Sequence, residues 1–155
     1  MIRYARKEDA PRILQLISDL AEYEKAPHEA VATLNQIEES LFSHNPPAFC
    51  HVAEVDGNVV GISIWFLNYS TWLGKPGIYL EDLYIDPAHR GKGHGLTFLK
   101  TLAKICVERG YERLQWWVLD WNQPSIEFYK SLGAEAMDEW TVYRMSGDAL
   151  KKLGT

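Results

Sequence analysis

Apolar positions along the chain switch repeatedly between a helical and a strand period. Ile13, Leu14, Leu16, Ile17, Leu20 and Ala21 recur on one helical face, and Pro11 suits a first turn. A short strand is expected ahead of them at 2–5, and a second helix at 34–41, closed by Asn45-Pro46-Pro47. Residues 49–55 and 59–67 flank Asp56-Gly57-Asn58 and read as a β-hairpin. A turn-rich connection, 68–77, leads to a strand at 78–85. Leu96, Leu99, Ala103, Cys106 and Val107 then mark the apolar face of a helix over 96–108. A strand at 113–119, a helix at 124–132 ended by Gly133, and a strand at 140–145 paired with 134–138 complete the pattern. The order predicts an α/β (α+β) fold with a mixed central sheet of about six to seven strands flanked by helices.

Composition narrows the classes. A chain of 155 residues is expected to form a single domain, 1–155, large enough for a proper core. It is 46% apolar and 24% charged, as in globular enzymes. No apolar run is long enough for a membrane span, and Arg3, Arg6, Lys7, Glu8 and Asp9 interrupt any signal-peptide core, so a cytoplasmic location is expected. The formal charge of −5 argues against nucleic acid as a partner. Cys50 and Cys106 form no CxxC and read as buried free thiols, and the five histidines lack ligand spacing, so no metal is expected.

The candidate chemistry begins at Arg90-Gly91-Lys92-Gly93-His94-Gly95, a glycine-rich loop between a strand and a helix. Bare backbone N–H groups at a helix N-terminus suit an anion such as a phosphate or pyrophosphate. The spacing is not that of a P-loop, because Gly91-Lys92 is followed by Gly93 and not by Ser or Thr. It is not a dinucleotide fingerprint either, since Gly91-x-Gly93-x-Gly95 has the wrong rhythm. It satisfies Arg/Gln-x-x-Gly-x-Gly/Ala through Arg90, Gly93 and Gly95.

With a second motif, Asn122-Gln123-Pro124-Ser125-Ile126-Glu127-Phe128-Tyr129 followed by Leu132-Gly133-Ala134, the chain resembles the GNAT superfamily of N-acetyltransferases over essentially its whole length. Tyr23-Glu24, Trp72-Leu73-Gly74-Lys75, Tyr79-Leu80-Glu81-Asp82 and Trp121-Asn122 resemble the spermidine/spermine (diamine) branch, whose relatives include enzymes acting on thialysine. The resemblance implies acetyl-CoA as co-substrate. The loop Arg90, Gly91, Lys92, Gly93, His94 and Gly95 would hold its pyrophosphate. Main-chain groups of Leu83, Tyr84 and Ile85 would pair with the pantetheine amides, and Asn122 and Ser125 would contact the pantetheine arm. It also implies a homodimer.

The reaction sets its own demands. An alkylamine with a pKa of about 10.4 is neutral in only about one molecule in 2,500 at pH 7, and deprotonating it costs about 4.6 kcal/mol. A carboxylate acting through water answers that need, and Glu81 is the candidate base. Adjacent Asp82 points to the opposite face in a regular strand; a β-bulge, which the family has here, would bring both toward one cleft, with Asp82 binding the cationic amine. Tyr129 is the candidate acid that protonates the departing thiolate. Tyr23, Glu24, Trp72, Glu81 and Asp82, with Gln115, Trp116 and Trp117 on the neighbouring strand, form an aromatic and acidic set for a small cationic acceptor. Polyamine, diamine and thialysine-like amino acid remain open as acceptors. The alternatives are protein N-terminal or lysine acetylation, and a non-catalytic acyl-CoA sensor on the same fold.

Overall fold

The computed structural model describes residues 1–155. Two compact units carry the chain, Met1–Trp117 and Val118–Thr155. In the first, β1 (Ile2–Tyr4), α1 (Ala10–Tyr23), α2 (Leu34–Phe42), β2 (Phe49–Val55), β3 (Asn58–Ser70), β4 (Lys75–Ile85), α3 (His94–Arg109) and β5 (Leu114–Trp116) follow one another. The second holds α4 (Gln123–Ser131) and α5 (Gly147–Leu153). The sheet runs β1-β2-β3-β4-β5, antiparallel throughout except for the parallel β4–β5 pair.

The two faces of this sheet have separate cores. Ile13, Leu16 and Leu20 of α1 and Leu41 of α2 pack on Cys50, Val52, Ile62, Ile64 and Tyr84. On the other face Phe98 packs with Ala53 and Val60, joined by Leu83 and Ile85. Gly61 admits Phe98: a Cβ there would lie 2.7 Å from Ile85 Cδ1 and 3.0 Å from the Tyr84 carbonyl oxygen. α2 starts with a capping box, in which Thr33 Oγ1 accepts from the Gln36 N–H and the Gln36 side chain accepts from the Thr33 N–H. Both cysteines are buried free thiols, as expected, and no helix is long and apolar enough to cross a membrane.

Four expectations are corrected. The sheet has five strands, not six or seven, because 134–138 and 140–145 form none. Apolar alternation marks a segment as able to join a ladder, but a strand exists only with a partner. The span 68–77 is not a connection: β3 continues to Ser70 and β4 begins at Lys75, so only 71–74 turn. The expected strand 113–119 shrinks to Leu114–Trp116. On α3 the buried side chains are Phe98, Leu99, Leu102 and Cys106, whereas Val107 is 80% exposed.

Trp65 is fully buried in β3, and its indole Nε1–H donates to His51 Nδ1 at 3.1 Å. That bond requires neutral His51, and burial holds the imidazole down to about 4 from its ordinary 6.5. A depressed histidine confers stability above its unfolded pKa, so that stability is lost as pH falls from about 6.5 toward 4. Trp65→Phe keeps an aromatic ring but orphans His51 Nδ1, an expected loss of about 1–3 kcal/mol at pH 7. Urea unfolding at pH 7 and pH 4.5 measures both effects; an unchanged midpoint for the variant would show that the bond contributes nothing.

Candidate functional site

The central feature is a β-bulge in β4. Ile64 pairs with Asp82 and Trp65 with Leu80, so Glu81 has no partner on β3. This defeats the alternation that would otherwise separate Glu81 from Asp82. Glu81 is exposed, Asp82 is half-buried, and Glu24, just past the end of α1, lies within electrostatic reach of both. Burial first, then the like charges of Glu81 and Glu24, pushes the Asp82 carboxyl up to about 7. Glu24 is raised by burial and then by Glu81. Three acids share one locality, and burial with the neighbouring like charges makes Glu24 and Asp82 harder to ionise.

β4 pairs with β5 only at Ile78, Tyr79 and Leu80, so the strand edge beyond the bulge has no β5 partner. Leu83, Tyr84 and Ile85 run along that edge, where alternate residues turn their main-chain groups away from β3 and toward a peptide-like ligand. The chain then turns through Pro87–His89 into the glycine loop. Asp86 fixes this turn by accepting from the Ala88 N–H at 3.1 Å and from Arg12 Nη2 at 2.9 Å.

Arg90 opens the loop in a role the sequence did not disclose. Its Nε donates to the Ile85 carbonyl at 3.0 Å, and its guanidinium stacks 5.4 Å from the Tyr23 ring and 5.2 Å from the Tyr84 ring. It therefore ties the loop to α1 and β4. Gly91 and Gly93 have φ of 76° and 82°, values that L side chains rarely adopt. Gly93 caps α3, and the first N–H returned to it is that of Thr97, at 3.0 Å. The N–H groups of His94, Gly95 and Leu96 precede that bond and point out of the helix end. No atom lies within 4 Å of a Cβ built on Gly91, Gly93 or Gly95, so the backbone is open to a ligand. Burial, the chain's N-terminal ammonium, His89 and Lys92 all lower the His94 pKa, which marks the loop as electropositive.

Other expected acceptor residues divide. Tyr23 ends α1 against Arg90, beside Glu24. Gln115 accepts from Asn68 Nδ2 at 2.9 Å, and Trp117 meets the Tyr79 ring edge-on at 5.8 Å. Trp116 lies between them and faces the opposite side of the sheet. Trp72 sits 81% exposed in the 71–74 turn, and Glu81 lies six residues beyond the start of β4, roughly 20 Å away at 3.3 Å per residue. The structure does not bring Trp72 to the carboxylates.

In the second unit Asn122 caps α4 and is 9% exposed, accepting the Ile126 N–H on its carbonyl at 3.1 Å. Pro124 occupies the first turn, where its missing N–H costs nothing. Ser125 and Tyr129 are half-buried on that helix, and the Tyr129 ring centroid is 5.6 Å from that of Phe128.

The profile of the Acetyltransferase (GNAT) family matches residues 2–134. The thialysine N-epsilon-acetyltransferase of Bos taurus is 37% identical, over 99% of this chain and 96% of its own length. The L-ornithine N5-acetyltransferase NATA1 of Arabidopsis thaliana is 30% identical, over 98% of this chain and 86% of its own. Spermidine/spermine N(1)-acetyltransferase-like protein 1 of Homo sapiens is 33% identical over 96% of this chain, which spans 23% of that longer protein. Among solved structures, an integron cassette protein from the mobile metagenome of V. cholerae superposes with a TM-score of 0.83 at 26% identity, covering 99% of this chain and 96% of that one. A family profile over most of the chain, relatives matched almost end to end and the bulged central strand leading into a glycine loop converge: the chain belongs to the GNAT family of acetyltransferases.

Proposed function

We propose that the chain transfers the acetyl group of acetyl-CoA directly to a primary amine of a small cationic acceptor, a polyamine, diamine or thialysine-like amino acid, in a ternary complex. The observation that carries this reading is the Glu24, Glu81 and Asp82 cluster at the bulge, on the strand whose unpaired edge leads into the glycine loop. The open backbone at Gly91, Gly93 and Gly95 and the electropositive surroundings of His94 fit a pyrophosphate. Acetyl-CoA supplies the acetyl group as an activated thioester. Leu83, Tyr84 and Ile85 offer main-chain amides to its pantetheine arm, the segment Arg90 to Gly95 holds its phosphates, and Asn122 and Ser125 add side-chain contacts. Asp82 holds the cationic amine, Glu81 takes its proton, and Tyr129 donates one to the departing sulfur.

Two further parts of the reading follow. The whole chain acts as one acetyltransferase domain, supported by a family match that crosses both compact units. It works as a homodimer: Trp140, Val142, Tyr143 and Met145 of the second unit expose apolar surface that a second copy could cover.

Thiol release from acetyl-CoA, measured over diamines, polyamines, thialysine, lysine and peptides, tests the proposal. Release with small amines and none with peptides is the expected result. Release with peptides alone would assign the chain to protein acetylation. CoA binding without release for any amine would make it a sensor.

A further inference from the structure

Beyond Ile64, the sheet face that holds Asp82 continues as Phe66 and Asn68 of β3, paired with Tyr79 and Gly77 of β4. The Phe66 and Tyr79 rings lie 5.0 Å apart, and Trp117 closes on Tyr79 edge-on, forming an aromatic wall next to the carboxylates along the strand. Past the wall the polarity changes. Asn68 and Gln115 are joined by a 2.9 Å hydrogen bond, which leaves amide N–H donors over. Gly77 lies between Asn68 and Arg113: a Cβ on it would be 3.1 Å from Asn68 Oδ1, 2.9 Å from the Arg113 carbonyl oxygen and 3.3 Å from Arg113 Cβ. The Arg113 side chain therefore leaves the sheet on this face and is exposed. Two residues further along β4, Lys75 Nζ stands 3.8 Å from Glu112 Oε1.

One strip of sheet thus carries acids at one end, aromatic rings in the middle, and amides with a guanidinium at the other. Four residues of β3 separate the partner of Asp82 from Asn68, roughly 13 Å at 3.3 Å per residue. That is about the reach of a lysine-length molecule with a hydrogen bond at each end. A linear polyamine would bring a second cation to Arg113. A carboxylate there meets a guanidinium and amide donors, and the Lys75–Glu112 pair complements a zwitterionic head.

Resting on the acetyl-transfer reading above, we propose that the acceptor is an ω-amino α-amino acid. Its reacting amine sits at Glu81 and Asp82, its stem lies along Phe66, Tyr79 and Trp117, and Arg113 with the Asn68–Gln115 amides holds its carboxylate.

The test compares kcat/KM for thialysine with that for bis(aminoethyl) sulfide, the diamine left when the carboxylate is removed. The wild-type protein is expected to prefer thialysine by about tenfold or more, the value of one charge-assisted contact. Arg113→Gln should collapse the ratio toward one, chiefly through the KM for thialysine, while Arg113→Lys retains part of it. Trp117→Ala should lower both acceptors alike. A wild-type ratio near one, or an Arg113→Gln variant that loses activity equally on both, overturns the inference and leaves acetyl transfer intact. Failure to acetylate any amine while CoA still binds defeats the acetyl-transfer reading and the inference together.

Discussion

Tyr129→Phe is expected to lower kcat by about 10²-fold or more, within the range that a positioned general acid contributes, while the dissociation constant for CoA changes by less than about twofold. The substitution removes one hydroxyl and keeps the ring, so its packing against Phe128 at 5.6 Å remains. The physical argument concerns the leaving group. A thiol of ordinary pKa about 8.5 departs as a thiolate, and a phenol near 10 stays protonated at neutral pH and can supply the proton. A hundredfold loss corresponds to about 2.7 kcal/mol of transition-state stabilisation. Single-turnover acetyl transfer should slow by the same factor as steady-state turnover, which separates a chemical defect from slow product release. Unaltered turnover would remove Tyr129 from the acid role.

What the sequence disclosed follows from which interactions are local. Helical periodicity located α1 and α2, and the Asp56-Gly57-Asn58 turn located the β2–β3 hairpin, because both signals lie within a few residues. The glycine loop was legible for the same reason, since strand, loop and helix adjoin in the chain. The bulge at Glu81 was not readable from composition or alternation. It depends on how β3 registers against β4, and only the family resemblance suggested it. Residues 68–77 were misread because Asn68, Ser70, Pro76 and Gly77 have poor strand propensity, which pairing across the hairpin overrode. With that segment taken for a loop, Asn68 and Lys75 could not be placed on a face, and Arg113 had no visible neighbour. On α3 the pattern favoured Val107, but Phe98 and Leu102 are the residues that turn inward. The role of Arg90 stayed hidden because its partners, Tyr23 and Tyr84, are distant in sequence. The short α5 was missed because it buries no side chain that would impose a period.

Glu81→Gln is expected to lower kcat/KM by about 10²-fold at pH 7, with the deficit shrinking as the pH approaches the amine's own pKa of about 10.4. The base matters most where the acceptor arrives protonated, so the wild-type and variant profiles should converge at high pH. A loss that is uniform across pH would assign Glu81 to binding or folding instead. The same variant removes the larger of the two like charges acting on Asp82, whose carboxyl should fall below its wild-type value of about 7. Acceptor affinity offers a second readout, because Asp82 attracts a cation only when ionised. In the wild-type protein affinity should strengthen as pH rises from about 6 to 8 through that value, and in Glu81→Gln the same rise should occur at lower pH. Stability carries the opposite sign. A carboxyl raised in the folded state from 3.8 to about 7 favours folding below 3.8, and that contribution is lost as pH rises toward 7. Asp82→Asn cannot ionise, so its melting temperature should exceed that of the wild-type protein at pH 8 and match it near pH 4. Equal melting temperatures at both values would mean that Asp82 ionises without strain, and its place as the buried anion of the cluster would fall.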